Sequence, residues 1–157
     1  MAVNLGKKFE ARFKKDWLAS MPDSDAERLY DPGFGMRGIS NISDFICYSY
    51  PFQFYIECKT IKGNTFNFSN LKQYEKLKDK KPVNGTRRGV IIWFNEKDKV
   101  VYVPIVEIEK MKNDGKKSVH INMIESDIYK VIEIPSIKKR TMMESDYKVL
   151  RSLNFGE

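Results

Sequence analysis

Two carboxylates and a lysine, Asp44, Glu57 and Lys59, stand within two short apolar stretches of the chain. Residues 52–59 are rich in aromatic and β-branched side chains and contain neither glycine nor proline, so they predict a strand. In a strand, residues two apart share a face, and Glu57 and Lys59 therefore point to the same side. Two carboxylates beside a lysine are the minimal equipment of a metal-dependent phosphodiesterase.

Asp44 opens the preceding apolar stretch, residues 44–48, and the turn-prone residues 49–51 follow it. Such a turn predicts an antiparallel hairpin that brings Asp44 beside Glu57. Magnesium is usually held by one or two carboxylates together with water and substrate phosphate. The ion can polarise a phosphodiester and lower the pKa of a bound water. Lys59 could orient that water or neutralise charge that develops in the transition state.

The alternative is that Glu57 and Lys59 are solvated residues on an exposed strand face, since the bare pattern has little specificity.

The charge distribution favours a catalytic role over a solvated surface. The formal net charge is +7, which favours a polyanionic partner. Residues 57–88 carry nine Lys or Arg against three acids, whereas residues 22–44 carry two against five. A nuclease needs this juxtaposition of metal ligands with a surface for phosphates. The basic residues predicted to contact DNA here are Lys72, Lys76, Lys80, Arg87 and Arg88.

Two cysteines and one histidine are too few for a zinc site or a disulfide framework. Cys58 is expected to face the core as a small apolar residue, because it alternates with Glu57. The length predicts one domain spanning residues 1–157. The sequence contains no stretch of membrane-spanning length and no signal-peptide core, and it predicts a cytoplasmic protein.

An N-terminal helix is predicted from a cap at Asn4 to about Ser20, because apolar residues recur every four positions along it. Glu10 lies off the centre of this apolar stripe. One interpretation of Glu10 is a surface partner for Lys14 at the i to i+4 spacing.

The remaining elements alternate between helices and strands. Residues 22–42 are expected to be irregular and include a glycine-rich loop around Gly33–Gly38. Further helices are predicted over 69–80, 106–113 and 141–153, and further strands over 89–94, 100–103 and 131–134. This order predicts a mixed α/β domain with a central sheet flanked by helices.

Several blocks in order resemble the PD-(D/E)XK nuclease superfamily, and within it the RecU-type Holliday junction resolvases, especially the short versions carried by phages. The matching blocks are Gly6–Glu10, Gly38–Phe45, Phe54–Lys59, Gly63–Leu71 with Gln73, and Gly89–Phe94. The resemblance implies a restriction-endonuclease-like fold. It also implies a homodimeric endonuclease, dependent on Mg²⁺ with Mn²⁺ as an alternative ion, that nicks two strands of a four-way DNA junction in a bacterial or phage-infected cell.

By the same resemblance, Asp44 and Glu57 would be metal ligands together with the backbone carbonyl of Cys58. Lys59 would position the attacking water. Three more residues match family positions close to the site: Glu10, Ser43 and Gln73.

The chain departs from the bacterial enzymes before the catalytic aspartate. Those enzymes carry a long basic stalk there, whereas this chain has the short glycine-rich loop, with Arg37 expected near DNA phosphate. Two rival functions remain: a related endonuclease acting on other branched or duplex DNA, and a DNA-binding module without catalysis. The intact set of Asp44, Glu57 and Lys59 argues against the second, because a binding module has no need of carboxylates crowded against DNA.

Overall fold

The computed structural model describes residues 4–30 and 41–152 of the chain. The described helices are α1 (Leu5–Ser20), α2 (Tyr74–Asp79), α3 (Ile105–Asn113) and α4 (Val149–Ser152). The strands are β1 (Ser24–Arg28), β2 (Phe45–Ser49), β3 (Phe52–Ile61), β4 (Thr65–Asn67), β5 (Thr86–Phe94), β6 (Lys99–Pro104), β7 (Ser118–His120), β8 (Ile132–Glu133), β9 (Ser136–Lys138) and β10 (Met143–Ser145).

Six strands form the central sheet in the order β1-β2-β3-β5-β6-β8. β3 and β5 run parallel, and the other neighbours in this sheet are antiparallel. A parallel pair requires a crossover connection, and the segment that contains α2 provides it. Two small antiparallel pairs, β4 with β7 and β9 with β10, lie outside this sheet. The expected mixed α/β fold with helices around a central sheet is confirmed.

The sheet separates two apolar clusters, because successive side chains of each strand point to opposite faces. The first face takes Phe54, Ile56 and Cys58 of β3 and is covered by α1 and the C-terminal segment. The second face takes Tyr55 of β3 together with Val90, Ile92 and Phe94 of β5, and is covered by α2 and α3. By the same alternation, Glu57 and Lys59 belong to the second face.

Helix α1 lies on the first face through a stripe of aromatic side chains. Asn4 caps the helix as expected, because its side chain accepts a hydrogen bond from the Lys7 amide at 3.1 Å. Phe9, Phe13 and Trp17 are buried at four-residue spacing. Their ring contacts with strand residues fix the helix on the sheet and so determine where Glu10 lies.

Strand β1 lies within the segment that was expected to be irregular. It pairs with β2 along its full length and forms an edge of the sheet. Its sequence, SDAER, is polar except for Ala26, which is buried in the first-face cluster. A polar edge strand carries almost no hydrophobic signal, which explains why the sequence pattern does not predict it.

The predicted helix over 69–80 is much shorter in the structure. A 3₁₀ turn occupies Phe68–Asn70, and the Leu71 amide bonds to the Phe68 carbonyl at 2.9 Å, three residues back. The Tyr74 amide repeats this spacing with the Leu71 carbonyl. These i to i−3 bonds delay the regular helix until Tyr74. Leu71, Tyr74 and Leu77 are buried as predicted.

The predicted terminal helix over 141–153 is wrong. Met143–Ser145 instead forms strand β10 against β9, and α4 is a single short turn. The Ser145 amide donates to the buried Asp16 carboxylate of α1 at 2.8 Å. This tertiary bond stabilises an extended conformation over the helical tendency of the local sequence.

The remaining expectations have mixed outcomes. The helix at 106–113 and the strands near 89–94, 100–103 and 131–134 are present, with boundaries shifted by a few residues. The glycine-rich loop and Arg37 lie outside the described residues. Within the described residues, no helix is long and apolar enough to cross a membrane.

Candidate active site

The β2–β3 hairpin brings the two predicted carboxylates together. Phe45 pairs with Ile56 in the antiparallel register, so Asp44 is the next position along and faces Glu57. The Asp44 carboxylate accepts a hydrogen bond from the Cys58 amide at 2.8 Å. The backbone of β3 therefore fixes the Asp44 side chain at the strand that carries Glu57 and Lys59.

Glu57 is a buried acid, with 2% of its surface exposed. Burial is the largest influence on its carboxyl group, and together with the negative charge of Asp44 it raises the pKa of Glu57 to about 8. Lys59 opposes this shift, because its ammonium lies 3.4 Å from Glu57 Oε1. The fold thus holds two acids close together at a cost in electrostatic energy, which is typical of a site that binds a cation.

The donor set fits a divalent cation. Oε2 of Glu57 is buried and receives no hydrogen bond from a donor among the described residues, and the group beside this side chain is a second carboxyl, that of Asp44. A cation there would supply the missing partner and would favour ionisation of both carboxylates. No group of three or more His, Cys, Asp or Glu within the described ranges converges to hold a metal. Two carboxylates are enough for an ion that keeps several waters and takes few protein ligands, as Mg²⁺ does.

Cys58 lies between Glu57 and Lys59 in the chain but on the opposite face. Its side chain is buried in the first-face cluster, as predicted from the strand alternation. Burial, followed by the charge of Asp44, raises the pKa of the Cys58 thiol well above its ordinary value. The thiol is therefore protonated and unsuited to act as a nucleophile. Only the backbone of Cys58 reaches the site, through its amide bond to Asp44.

Glu10 of α1 pairs with Arg28 of β1. One Glu10 carboxylate oxygen lies 2.8 Å from Nη2 of Arg28 and 3.1 Å from Nε. Nη1 of Arg28 donates to the Leu29 carbonyl and lies 3.5 Å from the carbonyl of Asp44, at the limit of a hydrogen bond. Glu10 is thus connected to the backbone of Asp44 through Arg28. The sequence did not identify Arg28, because the strand that carries it was not predicted.

Comparison with known proteins identifies the family of the chain. The profile of the family described as RecU, recombination protein U, matches residues 40–142, more than half of the chain. The chain belongs to the RecU family. Members of this family are metal-dependent nucleases that resolve Holliday junctions, so branched DNA is the substrate of this RecU protein.

A solved structure shares the fold of this RecU chain. It is the Hjc protein of Archaeoglobus fulgidus, described as a Holliday junction resolvase from an archaeal hyperthermophile. The two chains are 16% identical, and the TM-score is 0.55. The match covers 73% of the RecU chain and 88% of the Hjc chain. A search of curated proteins finds no match to this sequence.

Ser43 and Gln73, which the sequence resemblance places close to the site, have defined positions in the structure. Ser43 is buried, and its hydroxyl donates to the Phe45 carbonyl at 2.8 Å, which fixes the backbone around Asp44. Gln73 immediately precedes α2, the helix that covers the face to which Glu57 and Lys59 belong. Oε1 of Gln73 is buried and has no hydrogen-bond partner in the described parts of the chain.

The predicted lysines of the RecU chain lie around α2. Lys72 and Lys76 are exposed, and Lys80 is partly exposed with its ammonium 5.1 Å from the centre of the Tyr55 ring. Since α2 covers the second face, these lysines lie on the same side of the sheet as Glu57. Their position suits contact with the DNA backbone.

Arg87 and Arg88 lie inside the fold, and their burial corrects the expectation that they contact phosphates. Arg88 is 4% exposed, and its Nη1 donates to the carbonyls of Leu77, Lys78 and Lys80 at 2.8 to 3.0 Å. These carbonyls belong to the last turn of α2 and to Lys80, which follows the helix, and a cation at a helix end satisfies them.

Arg87 points to the other face of the sheet. Its guanidinium lies 3.6 Å from the centre of the Phe52 ring, and it donates to the Leu150 carbonyl. Because both arginines are buried and bound to backbone carbonyls, neither is placed to contact DNA.

Proposed function

We propose that this RecU protein cuts four-way junctions by paired nicks at a Mg²⁺ site held by Asp44 and Glu57. The observation that supports this most strongly is the buried Glu57 carboxylate. It faces Asp44, has Lys59 at 3.4 Å, and leaves Oε2 without a hydrogen-bond donor among the described residues. A purely structural pair of acids would be satisfied by hydrogen bonds.

Asp44, Glu57 and the backbone carbonyl of Cys58 would hold the ion, with Mn²⁺ as an alternative. When bound, Mg²⁺ polarises the phosphodiester and lowers the pKa of water. Asp44 is oriented for this role by its bond from the Cys58 amide. Glu57 is held in place by its strand, whose central position in the sheet leaves it little freedom.

Lys59 would act on the water and on the phosphate. Its side chain is 26% exposed, so Lys59 contacts both the buried carboxylate and solvent. From this place the Lys59 ammonium can donate a hydrogen bond that orients a water, and it can neutralise charge that develops on the phosphate. Gln73, with its unpaired buried Oε1, would donate or accept a further hydrogen bond at the site.

Glu10 would position the site from the first face. Its ion pair with Arg28 orients the guanidinium whose Nη1 lies near the carbonyl of Asp44. Glu10 would therefore act through Arg28 on the backbone of Asp44. Replacement of residues that orient metal ligands typically lowers metal affinity or activity by about 10- to 100-fold.

The DNA surface would include Lys72, Lys76 and Lys80 around α2 and Arg37 of the glycine-rich loop. Lysines there neutralise phosphates and position the duplex without reading its sequence. A four-way junction has two-fold symmetry, and paired nicks on opposing strands require two copies of the site. A two-fold dimer of this chain is the simplest arrangement that provides them.

One side-by-side assay tests the substrate. A synthetic four-way junction, a flap and a linear duplex are each incubated with the protein and Mg²⁺, and the nicked products are resolved on a denaturing gel. We expect symmetric nicks in the junction and much slower cutting of the linear duplex. Equal cutting of all three DNAs would favour the rival, a related endonuclease without junction selectivity, and binding without any cutting would favour a non-catalytic module.

A further inference from the structure

A second basic feature lies beyond the lysines of α2. A cavity of about 370 Å³ opens between β4 and the turn that follows α3. Its lining residues are Asn67, Phe68, Ser69, Lys112, Lys116 and Lys117. Three of the six are lysines, and no acid is among these described lining residues. The cavity is therefore concave and positively charged, which suits an anion.

The fold holds the lysine-bearing turn in place. Gly115 has φ +85°, a conformation that glycine adopts without strain, and the Lys116 amide then bonds to the Met111 carbonyl at 2.8 Å. The Lys117 carbonyl accepts a hydrogen bond from the Phe68 amide at 3.0 Å, which joins the turn to the opposite wall. The cavity is thus organised by backbone bonds before any ligand arrives.

The side chains near the cavity also keep it positive. The Lys112 ammonium lies 3.8 Å from the centre of the Tyr74 ring, which holds it against α2. The acid within the lysine-bearing turn, Asp114, accepts a hydrogen bond from the Tyr129 hydroxyl at 2.7 Å. Asp114 is therefore engaged with Tyr129 instead of with a cavity lysine.

The cavity lies on the same side of the molecule as the carboxylates. β4 follows β3 after only three residues, 62–64, and β3 carries Glu57 and Lys59. Phe66 and Phe68 pack in the second-face cluster together with residues of α2 and α3. The active site, the α2 lysines and this cavity are therefore placed along one face of the fold.

We infer that the cavity lined by Lys112, Lys116 and Lys117 binds backbone phosphates of a duplex arm, away from the scissile phosphate. This inference rests on the proposed function for the identity of the anion, which is DNA. Because lysines contact phosphates as point charges, and phosphate contacts carry no sequence information, the subsite contributes affinity without sequence preference.

The test compares the salt dependence of DNA binding for two triple variants. The first is Lys112→Gln/Lys116→Gln/Lys117→Gln. The second, a charge-matched control, is Lys138→Gln/Lys139→Gln/Lys148→Gln. The control lysines lie in the segment that covers the first face, and each is within 4 Å of an acid: Asp98, Glu144 and Asp146. Binding to a synthetic four-way junction and to a linear duplex is measured in EDTA, so that no DNA is cut.

The cavity variant should flatten the plot of log Kobs against log salt concentration by about 2 to 3 units on both DNAs, because each neutralised phosphate contributes about 0.9. The control variant should change the slope by less than about one unit. Circular dichroism should show wild-type folding for both, since all six lysines are exposed. A wild-type slope for the cavity variant, or an equal change in the control, would overturn the inference.

Cleavage assays distinguish a failure of this inference from a failure of the proposed function. A protein that cuts no branched DNA but shows the lysine-dependent slope would refute the nuclease proposal and leave the phosphate subsite standing. A protein that cuts junctions but has an unchanged slope in the cavity variant would refute only the subsite.

Discussion

Replacement of Arg88 by methionine should lower the melting temperature of the protein strongly and leave the salt dependence of DNA binding unchanged. In the wild type, Nη1 of Arg88 is shared by the carbonyls of Leu77, Lys78 and Lys80, at 2.9, 3.0 and 2.8 Å. Methionine fills a similar volume but donates no hydrogen bond. Each carbonyl that stays buried without a donor costs about 1 to 3 kcal/mol.

The three bonds share one nitrogen, and water can reach part of the helix end, so their contributions do not simply add. We expect a loss of about 3 to 5 kcal/mol, which lies between the cost of one unsatisfied carbonyl and the summed cost of three. For a chain of this size, about 1 kcal/mol shifts Tm by about 2 to 4 °C, so the melting temperature should fall by on the order of 10 °C. Thermal unfolding followed by circular dichroism measures this.

Two further variants make the test decisive. Lys76→Met applies the same replacement to an exposed residue of α2 and should change stability by less than about 0.5 kcal/mol. Arg88→Lys keeps the charge but loses the fork of donors, so it should also lower Tm. If Arg88→Met melted like the wild type and its DNA-binding slope became shallower by about one unit, Arg88 would be a phosphate contact and our interpretation of its burial would be refuted.

Three other predictions follow from the site and its surface. Glu10→Gln should fold normally and cut junctions about 10- to 100-fold more slowly, because it weakens the hold on Arg28; a wild-type rate would reduce Glu10 to a surface ion pair. Lys76→Gln/Lys80→Gln should make the salt dependence of binding shallower on every DNA tested, and an unchanged slope would mean that these lysines are only solvated. Sedimentation at micromolar concentration should give a dimer, and a monomer that resolves junctions would contradict the two-fold arrangement.

The parts of the site that the sequence could predict depend on local patterns. Alternation along residues 52–59 identifies the strand and places Glu57 opposite Cys58, and a short turn is enough to bring Asp44 alongside. The aromatic stripe of α1 is equally local, since Phe9, Phe13 and Trp17 recur at helical spacing. These elements have strong periodicity within a few residues.

The parts that the sequence could not predict depend on long-range contacts. Arg88 is buried because the carbonyl end of α2 lies over β5, and nothing in the local sequence distinguishes it from an exposed phosphate-binding arginine. Residues 143–145 form a strand because Asp16, on α1, binds the Ser145 amide. Arg28 becomes important only once β1 pairs with β2 and places it near Glu10.

The most direct test of the account is junction cleavage by Asp44→Asn beside the wild type. Both proteins are incubated with a labelled four-way junction, with Mg²⁺ and with EDTA, and junction binding is measured separately without metal. We predict that the wild type nicks the junction only with Mg²⁺, whereas Asp44→Asn binds the junction at least as tightly, because a negative charge near phosphate is removed, and does not cut it. Robust nicking by Asp44→Asn in Mg²⁺ would contradict the assignment of Asp44 and Glu57 as the metal-binding pair.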